Sequence, residues 1–209
     1  MSAVDPPRHL DRYTSLPVLL DMLKNKRLVL LSPASWEDKN DSEVMLEYQR
    51  RRGVGKILAV CFCQGDETIH SWRTFADGIS GCRIRFNAEE LIPKVSRHVG
   101  VRFGSVKYKK IRQLKRRQIP VSEMPFIKRW PYRCEEEYRV VWEGDTEEDH
   151  YDIPIDLQSI QNITISQKMP YQVYVTIKNY LRQAFKDPEK RISRSTLYRN
   201  DLWIRRFKK

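Results

Sequence analysis

Short apolar runs that suit β-strands recur along the chain, and they are mixed with helical segments in no strict alternation. The runs at residues 27–31, 57–63 and 82–86 are rich in β-branched, aromatic and other apolar side chains, which fit a pleated, half-buried surface. Residues 171–185 instead carry apolar side chains at helical spacing. Irregular mixing of this kind favours an α+β fold over a doubly wound parallel sheet.

The chain of 209 residues is long enough to bury a core without disulfides or metals. Further strands are predicted at 101–109, 135–142, 151–155, 162–165 and 191–197, and further helices near 15–23, 42–51, 71–76, 87–91 and 110–118. We therefore expect one domain over residues 1–209, with a core from about 10 to 197 and a basic C-terminal tail at 198–209.

Three consecutive acidic residues, Glu135, Glu136 and Glu137, precede the apolar segment 138–142 in an otherwise basic region. Because side chains alternate along a strand, Glu135 and Glu137 are expected on one face and Glu136 on the other. Paired carboxylates on one face suit a metal, a cationic group or general base catalysis. The competing interpretation is a strand edge on which the carboxylates form salt bridges with nearby Arg and Lys side chains.

Positive charge is the second strong feature. The chain has a formal net charge of +12 and a pI near 9.6, which favours polyanionic partners, above all nucleic acid. Aromatic residues, among them Tyr108, Tyr198 and Trp203, lie between the basic ones and can stack on bases. The predicted nucleic-acid-binding residues form one stretch: Lys107, Lys109, Lys110, Arg112, Lys115, Arg116 and Arg117. The alternative is a solvated basic face or a docking surface for an acidic protein.

Four cysteines, Cys61, Cys63, Cys82 and Cys134, lack the spacing of a zinc site, and we interpret them as structural thiols. The chain has neither a secretory signal pattern nor an apolar run near the ~20 residues that cross a bilayer. We therefore expect a cytoplasmic protein that makes no membrane contact.

Several short motifs occur in a fixed order. They are Arg12-Tyr13-Thr14-Ser15, Ser32-Pro33 with Trp36-Glu37-Asp38, Cys61-Phe62-Cys63, Trp72-x-x-Phe75-Ala76-Asp77-Gly78 with Gly81, and Trp130-x-Tyr132 with Glu135-x-Glu137-Tyr138-Arg139. This series, over roughly residues 10 to 170, resembles a widespread bacterial family known as a domain of unknown function. The chain departs from that family's pattern at three positions: Glu37 replaces an Asn, Lys39 a Pro and Phe75 a Tyr.

That family in turn is similar to the ADP-ribosyltransferase superfamily, in which a polar residue on the first strand, a central aromatic block and a late Glu act on NAD. The resemblance implies a split β-sandwich flanked by helices, with NAD as the substrate and glycosyl transfer as the reaction class. It implies Glu137 and Glu135 as catalytic residues. It also implies that NAD is bound by Arg12, Tyr13, Thr14, Trp72 and Phe75.

The chemistry suits these residue types. An Arg grips a phosphate bidentately, and an aromatic ring faces the cationic nicotinamide. A carboxylate stabilises the oxocarbenium-like state that forms when the glycosidic bond breaks. Glu137 would take that role and Glu135 would orient or deprotonate the nucleophile. A toxin or an antiviral defence effector, with an antitoxin or regulatory partner, would suit such an activity.

Other interpretations stay open at this point. Arg12 can form a structural ion pair, and Trp72 and Phe75, three residues apart on a helix, can pack in the core. Asp38 and Asp41 can cap the following helix. A metal-dependent nuclease would gather Asp38, Asp41, Glu135 and Glu137 around Mg²⁺. A non-catalytic nucleic-acid-binding or regulatory module would use the glutamates only to balance nearby arginines.

Overall fold

The computed structural model describes residues 7–114 and 118–208, and within them the chain forms eleven strands and seven helices. The strands are β1 (His9–Ser15), β2 (Arg27–Leu31), β3 (Lys56–Cys63), β4 (Gly81–Asn87), β5 (Val101–Ser105), β6 (Lys107–Lys109), β7 (Ile127–Arg129), β8 (Glu137–Gly144), β9 (His150–Pro154), β10 (Ile160–Ile165) and β11 (Arg191–Arg194). The helices are α1 (Leu16–Asn25), α2 (Lys39–Arg52), α3 (Ile69–Phe75), α4 (Ala88–Val95), α5 (Ile111–Leu114), α6 (Tyr171–Phe185) and α7 (Asp201–Arg205).

Strand β3 is the centre of a nine-stranded sheet. Strand β8 pairs along the whole of one edge of β3, and β5 pairs with the far side of β8. The other edge of β3 is shared, because Cys63 pairs with Asp11 of β1 and Ala59 pairs with Leu31 of β2. The sheet therefore divides at β3 into a branch β1-β4-β10-β11 and a branch β2-β9. This mixed architecture confirms the α+β class expected from the sequence.

One face of the sheet carries the main apolar core. Alternating strand residues such as Phe62, Ile84 and Val140 are almost fully buried there against α1, α4 and α6. Helix α6 has the bounds that its 3.6-residue periodicity predicts, and it contributes Tyr174 and Leu181 to this core. Burial of this large apolar surface is the main stabilising contribution to the fold.

The opposite face is covered by α2 and α3, which leave polar side chains between them. Helix α2 packs Met45 and Tyr48 onto β3 and β8, and α3 packs Trp72 against β1. Helix α2 begins at Lys39, earlier than the predicted 42, because Asp38 caps it through the backbone N–H of Asn40 at 3.1 Å. The candidate site lies on this face.

The predicted strand 101–109 is wrong as one element. Residues Val101–Ser105 pair with β8, whereas Lys107–Lys109 leave that sheet and pair in parallel with β7. Of the predicted basic helix at 110–118, the structure describes α5, and residues 115–117 lie outside the described residues. None of the helices in the described part of the chain is long and apolar enough to cross a membrane.

Candidate functional site

Three strands bring acidic and thiol side chains into one row on the α2/α3 face. Cys63 of β3 pairs with Glu137 of β8 on one side and with Asp11 of β1 on the other. Directly paired residues of antiparallel strands point to the same face of the sheet. The row therefore runs from Asp11 through Cys63 to Glu137.

Glu137 is held by Arg139, two residues further along β8. Arg139 donates from Nε to Oε1 of Glu137 at 2.6 Å and from Nη2 to Oε2 at 2.9 Å. Arg139 is fully buried and Glu137 is 5% exposed. Burial alone would raise the pKa of Glu137, but the charge and hydrogen bonds of Arg139, together with Lys128, lower it to about 2. Glu137 is therefore ionised throughout the physiological pH range.

Arg139 also holds Asp41, which helix α2 brings to the sheet. Its Nη1 donates to Oδ1 of Asp41 at 3.0 Å and to the carbonyl oxygen of Pro125 at 3.0 Å, and its Nη2 donates to Oδ2 of Asp41. The Trp36 ring lies 4.9 Å from the guanidinium carbon. Such planar, multidentate contacts suit Arg far better than Lys.

Lys128 of β7 is the second cation of this group. Its Nζ lies 2.6 Å from Oε2 of Glu135, 3.3 Å from Oε2 of Glu137 and 3.5 Å from Oδ2 of Asp41. Burial acts to lower the pKa of Lys128, but the charges of Glu137 and Glu135 outweigh it and raise that pKa. We call Asp41, Lys128, Glu135, Glu137 and Arg139 the charge cluster.

The predicted strand across all three glutamates is wrong in its first two residues. Glu135 ends a 3₁₀ turn, Trp130–Glu135, and Glu136 has a left-handed backbone with φ of 42°, so β8 begins only at Glu137. Glu135 and Glu137 nevertheless meet, because both contact the same Lys128 ammonium. Simple alternation along a strand is therefore not the reason for their proximity. Burial raises the pKa of Glu135, and Lys128 opposes that shift.

A second charged group lies along the same face, next to the predicted NAD-binding residues. Arg85 donates two hydrogen bonds to the buried Asp11, at 2.8 and 2.7 Å. Arg83 lies 3.6 Å from both Asp11 and Glu67. Glu67 in turn accepts a hydrogen bond from Trp72 Nε1 at 2.8 Å. No sequence motif contains Asp11, Arg83, Arg85 or Glu67, so none of them was predicted as a site residue.

The structure places the predicted NAD-binding residues in several environments. Tyr13 and Trp72 are buried and meet edge to face, with ring centroids 5.5 Å apart. Thr14 is half-buried on β1, and Phe75 is exposed at the end of α3. Trp72 thus packs in a small core, which was the alternative to a cofactor role.

Arg12 follows Asp11 on β1, so strand alternation turns it to the opposite face from Asp11 and Tyr13. Its Nη1 is buried without a hydrogen-bond partner among the described residues, and burial lowers the pKa of Arg12 to about 10. No described contact joins Arg12 to Glu137. Because Glu137 shares the face of Asp11, Arg12 and Glu137 lie on opposite faces of the sheet, and the described residues give a shared pocket no support.

A cavity of about 950 Å³ opens beside the charge cluster. Asp41 and Lys128 belong to the charge cluster and also line this cavity. The cavity's basic lining residues are Lys39, Arg51, Lys109, Lys128 and Arg129, and its acidic ones are Asp38, Asp41 and Glu43. The volume falls within the range of small-molecule sites and is large enough for a dinucleotide.

Part of the predicted nucleic-acid-binding stretch reaches this cavity. Strand β6 pairs with β7 so that Lys109 lies opposite Arg129, and both side chains line the cavity wall. Lys107 lines a second cavity of about 450 Å³, Lys110 lies 5.0 Å from the Trp130 ring, and Arg112 is exposed on α5. Lys115, Arg116 and Arg117 lie outside the described residues.

In the described ranges 7–114 and 118–208, no group of three His, Cys, Asp or Glu side chains is arranged to hold a metal ion. Asp41, Glu135 and Glu137, which the nuclease hypothesis would use as ligands, are bound by Lys128 and Arg139 instead. Asp38 caps α2. The described residues therefore give the nuclease hypothesis no support.

Neither a protein-family model nor a curated protein matches the chain. Among solved structures the chain is similar to Thermus sp. 2.9 DarT in three complexes. The complex with ADP-ribosylated ssDNA has 13% identity and a TM-score of 0.46, covering 93% of this chain and 97% of DarT. The complex with NAD+ has 10% identity and a TM-score of 0.46, and that with carba-NAD+ has 11% and 0.45; each covers 93% of this chain and 98% of DarT. Similarity at this level assigns no activity.

Proposed function

We propose that this chain is an NAD-dependent ADP-ribosyltransferase that modifies nucleic acid, with the dinucleotide in the cavity next to the charge cluster. One observation carries the proposal. Lys128 lines the cavity and lies 3.3 Å from Glu137, a carboxylate that is ionised at neutral pH. A cavity of nucleotide size, lined by more basic than acidic residues, is thus separated by the Lys128 side chain from a carboxylate that is ionised at neutral pH.

The roles follow from charge and position. Arg129, Lys109 and Lys39 would bind the pyrophosphate from the cavity wall. When the bond between ribose and nicotinamide breaks, its electron pair leaves with the nicotinamide and a cationic ribose remains. The negative charge of Glu137 stabilises that cation. A nucleophile of the nucleic acid then bonds to the ribose carbon and gives its proton to Glu135.

The contacts of Glu137 indicate the side from which ribose approaches. Arg139 holds both carboxylate oxygens at 2.6 and 2.9 Å, whereas Lys128, on the cavity side, lies at 3.3 Å. A ribose hydroxyl that displaces Lys128 would reach Glu137 without breaking the Arg139 contacts. NAD has a competing location at the residues predicted from the sequence, which are Arg12, Tyr13, Thr14, Trp72 and Phe75.

The test is release of nicotinamide from NAD and transfer of labelled ADP-ribose to single-stranded DNA or RNA. These probes are chosen because the DarT complexes contain NAD+ and ADP-ribosylated ssDNA. We expect Glu137→Gln to reduce turnover about a hundredfold or more. The matched control is Glu143→Gln, which removes another buried, ion-paired carboxylate from β8. Equal losses in the two variants would remove Glu137 from the mechanism.

Binding of NAD, measured by calorimetry, separates the two places for the dinucleotide. If the cavity holds it, Arg129→Ala weakens binding about tenfold and Arg12→Met leaves it unchanged. The reverse pattern would place NAD at the sequence-predicted residues around Arg12.

A growth experiment tests the biological role. Growth arrest on induced expression of the chain, absent with Glu137→Gln, would support a toxin or defence role for the activity.

A second candidate is a non-catalytic nucleic-acid-binding module. It is favoured by the ion pairing of the charge cluster, in which both oxygens of Glu137 are bound by a cation. Salt-dependent nucleic-acid binding without any consumption of NAD would establish it in place of the transferase.

A further inference from the structure

Large apolar side chains are exposed at the C-terminal end of the described chain. Trp203 is 67% exposed and Phe207 is 71% exposed, and their ring centroids lie 5.2 Å apart at 51°. Tyr198 and Leu202 are exposed next to them. A group of exposed aromatic residues of this kind commonly marks a binding surface.

Specific hydrogen bonds hold this segment in place. Gln167 Oε1 accepts from the backbone N–H groups of Tyr198 and Arg199 at 2.8 and 3.1 Å, and Gln167 Nε2 donates to the Arg199 carbonyl oxygen at 2.9 Å. Asn200 then caps α7 by accepting from the backbone N–H of Trp203 at 3.0 Å. The aromatic residues are thus presented by a fixed segment.

The same segment is positively charged. Arg205, Arg206 and Lys208 are exposed and have no ion-pair partner among residues 7–114 and 118–208. Arg199 is paired with Asp201, the segment's one acidic residue, at 3.0 Å. Aromatic rings between unpaired cations are the composition of surfaces that bind single strands, where bases stack and phosphates meet the cations.

We propose that this surface, the C-terminal platform of Tyr198, Trp203, Phe207, Arg205, Arg206 and Lys208, binds single-stranded nucleic acid. Bases stack on Trp203 and Phe207, and the three unpaired cations contact phosphates. A duplex binds less well because its bases are already stacked on each other. That the bound strand is the acceptor rests on the proposed function; the binding itself does not.

The platform differs from the basic stretch around β6, which also contains an aromatic residue. There Tyr108 is half-buried, and its hydroxyl oxygen accepts the backbone N–H of Glu137 at 2.8 Å. Tyr108 therefore belongs to the support of the charge cluster and does not present a free ring.

The test is binding of a fluorescent deoxythymidine oligonucleotide to the full chain in the absence of NAD, over a range of salt concentrations. We expect Trp203→Ala to weaken binding about tenfold with an unchanged salt slope, because it removes a stacking partner. Arg205→Gln with Arg206→Gln should instead reduce the slope of log K against log salt by about 0.7 for each lost phosphate contact.

Tyr180→Ala is the matched control, because Tyr180 is an exposed aromatic residue of α6 outside the platform. Its affinity should equal that of the unaltered chain. Equal affinity of Trp203→Ala would overturn the platform, as would preferred binding of duplex, of anionic vesicles or of a second copy in sedimentation. An oligoribonucleotide of equal length shows whether RNA or DNA is preferred. Because NAD is absent, failure of the transferase assay leaves this result unaffected.

Discussion

Glu137 and Arg139 lie two residues apart on the same face of β8 and share two hydrogen bonds, at 2.6 and 2.9 Å. Asp41 of α2 binds the remaining side of the guanidinium. One buried arginine thus connects a strand, a helix and, through the Pro125 carbonyl, the segment before β7. This arrangement fixes the orientation of the Glu137 carboxylate.

Acid should weaken the protein through Glu137. Because its pKa in the folded state is lowered from 4.5 to about 2, its contribution to stability is fully present above about pH 4.5 and is lost as the pH falls towards 2. The difference in unfolding free energy between the unaltered chain and Glu137→Gln should therefore shrink by on the order of 3 kcal/mol over that range. Urea unfolding at several pH values measures it. A difference that stays constant with pH would contradict the prediction.

Replacing Arg139 should be among the most destabilising single changes. Arg139→Met leaves Asp41 and Glu137 buried with Lys128 as their remaining cation, which should cost about 3–5 kcal/mol in unfolding free energy. Arg50→Met is the comparison, since Arg50 pairs with Glu47 at the exposed surface and its loss should lower the unfolding free energy far less. Chemical denaturation of both variants gives the difference, and similar values would refute the prediction.

Two glycines with left-handed backbones should respond differently to alanine. Gly53 ends α2 with φ of 65° and has open space around it, so Gly53→Ala should cost about 1 kcal/mol. Gly100 has φ of 78°, and a Cβ there would overlap the carbonyl oxygen of Glu143. Gly100→Ala should therefore cost clearly more, about 2–3 kcal/mol. Thermal unfolding of the two variants shows the order, and the reverse order would exclude the overlap.

Thiol labelling should separate one cysteine from three. Burial raises the pKa of Cys61, Cys63 and Cys82, and the charge of Glu137 raises it further for Cys61 and Cys63, so these thiols stay protonated. Cys134 is exposed. A thiol reagent at pH 8 should modify Cys134 rapidly and the other three only on unfolding. Cys61 is partly exposed and Cys63 and Cys82 are buried, so rapid labelling in the Cys134→Ser variant would show that at least one of these thiols is reactive in the folded chain.

Several strands and helices could be predicted from local patterns in the sequence. The bounds of β2 and α6 agree with the sequence analysis, because clear apolar patterns define both. The salt-bridge alternative for the glutamates was also available, since Glu137 and Arg139 two residues apart on a strand must share a face. The left-handed backbone of Glu136 could not be predicted from the sequence, because this conformation is uncommon outside Gly, Asn and Asp.

Short-range periodicity and composition are enough to predict the α+β class, most of the strands and helices, and the basic character of the chain. Which charged side chains meet depends instead on the tertiary packing. Asp41 and Arg139 are 98 residues apart in the chain, and the folded chain joins them by packing α2 on β8. Lys128 lies in the charge cluster because its strand, β7, pairs with β6. Contacts of this kind depend on how whole elements pack, which no local pattern encodes.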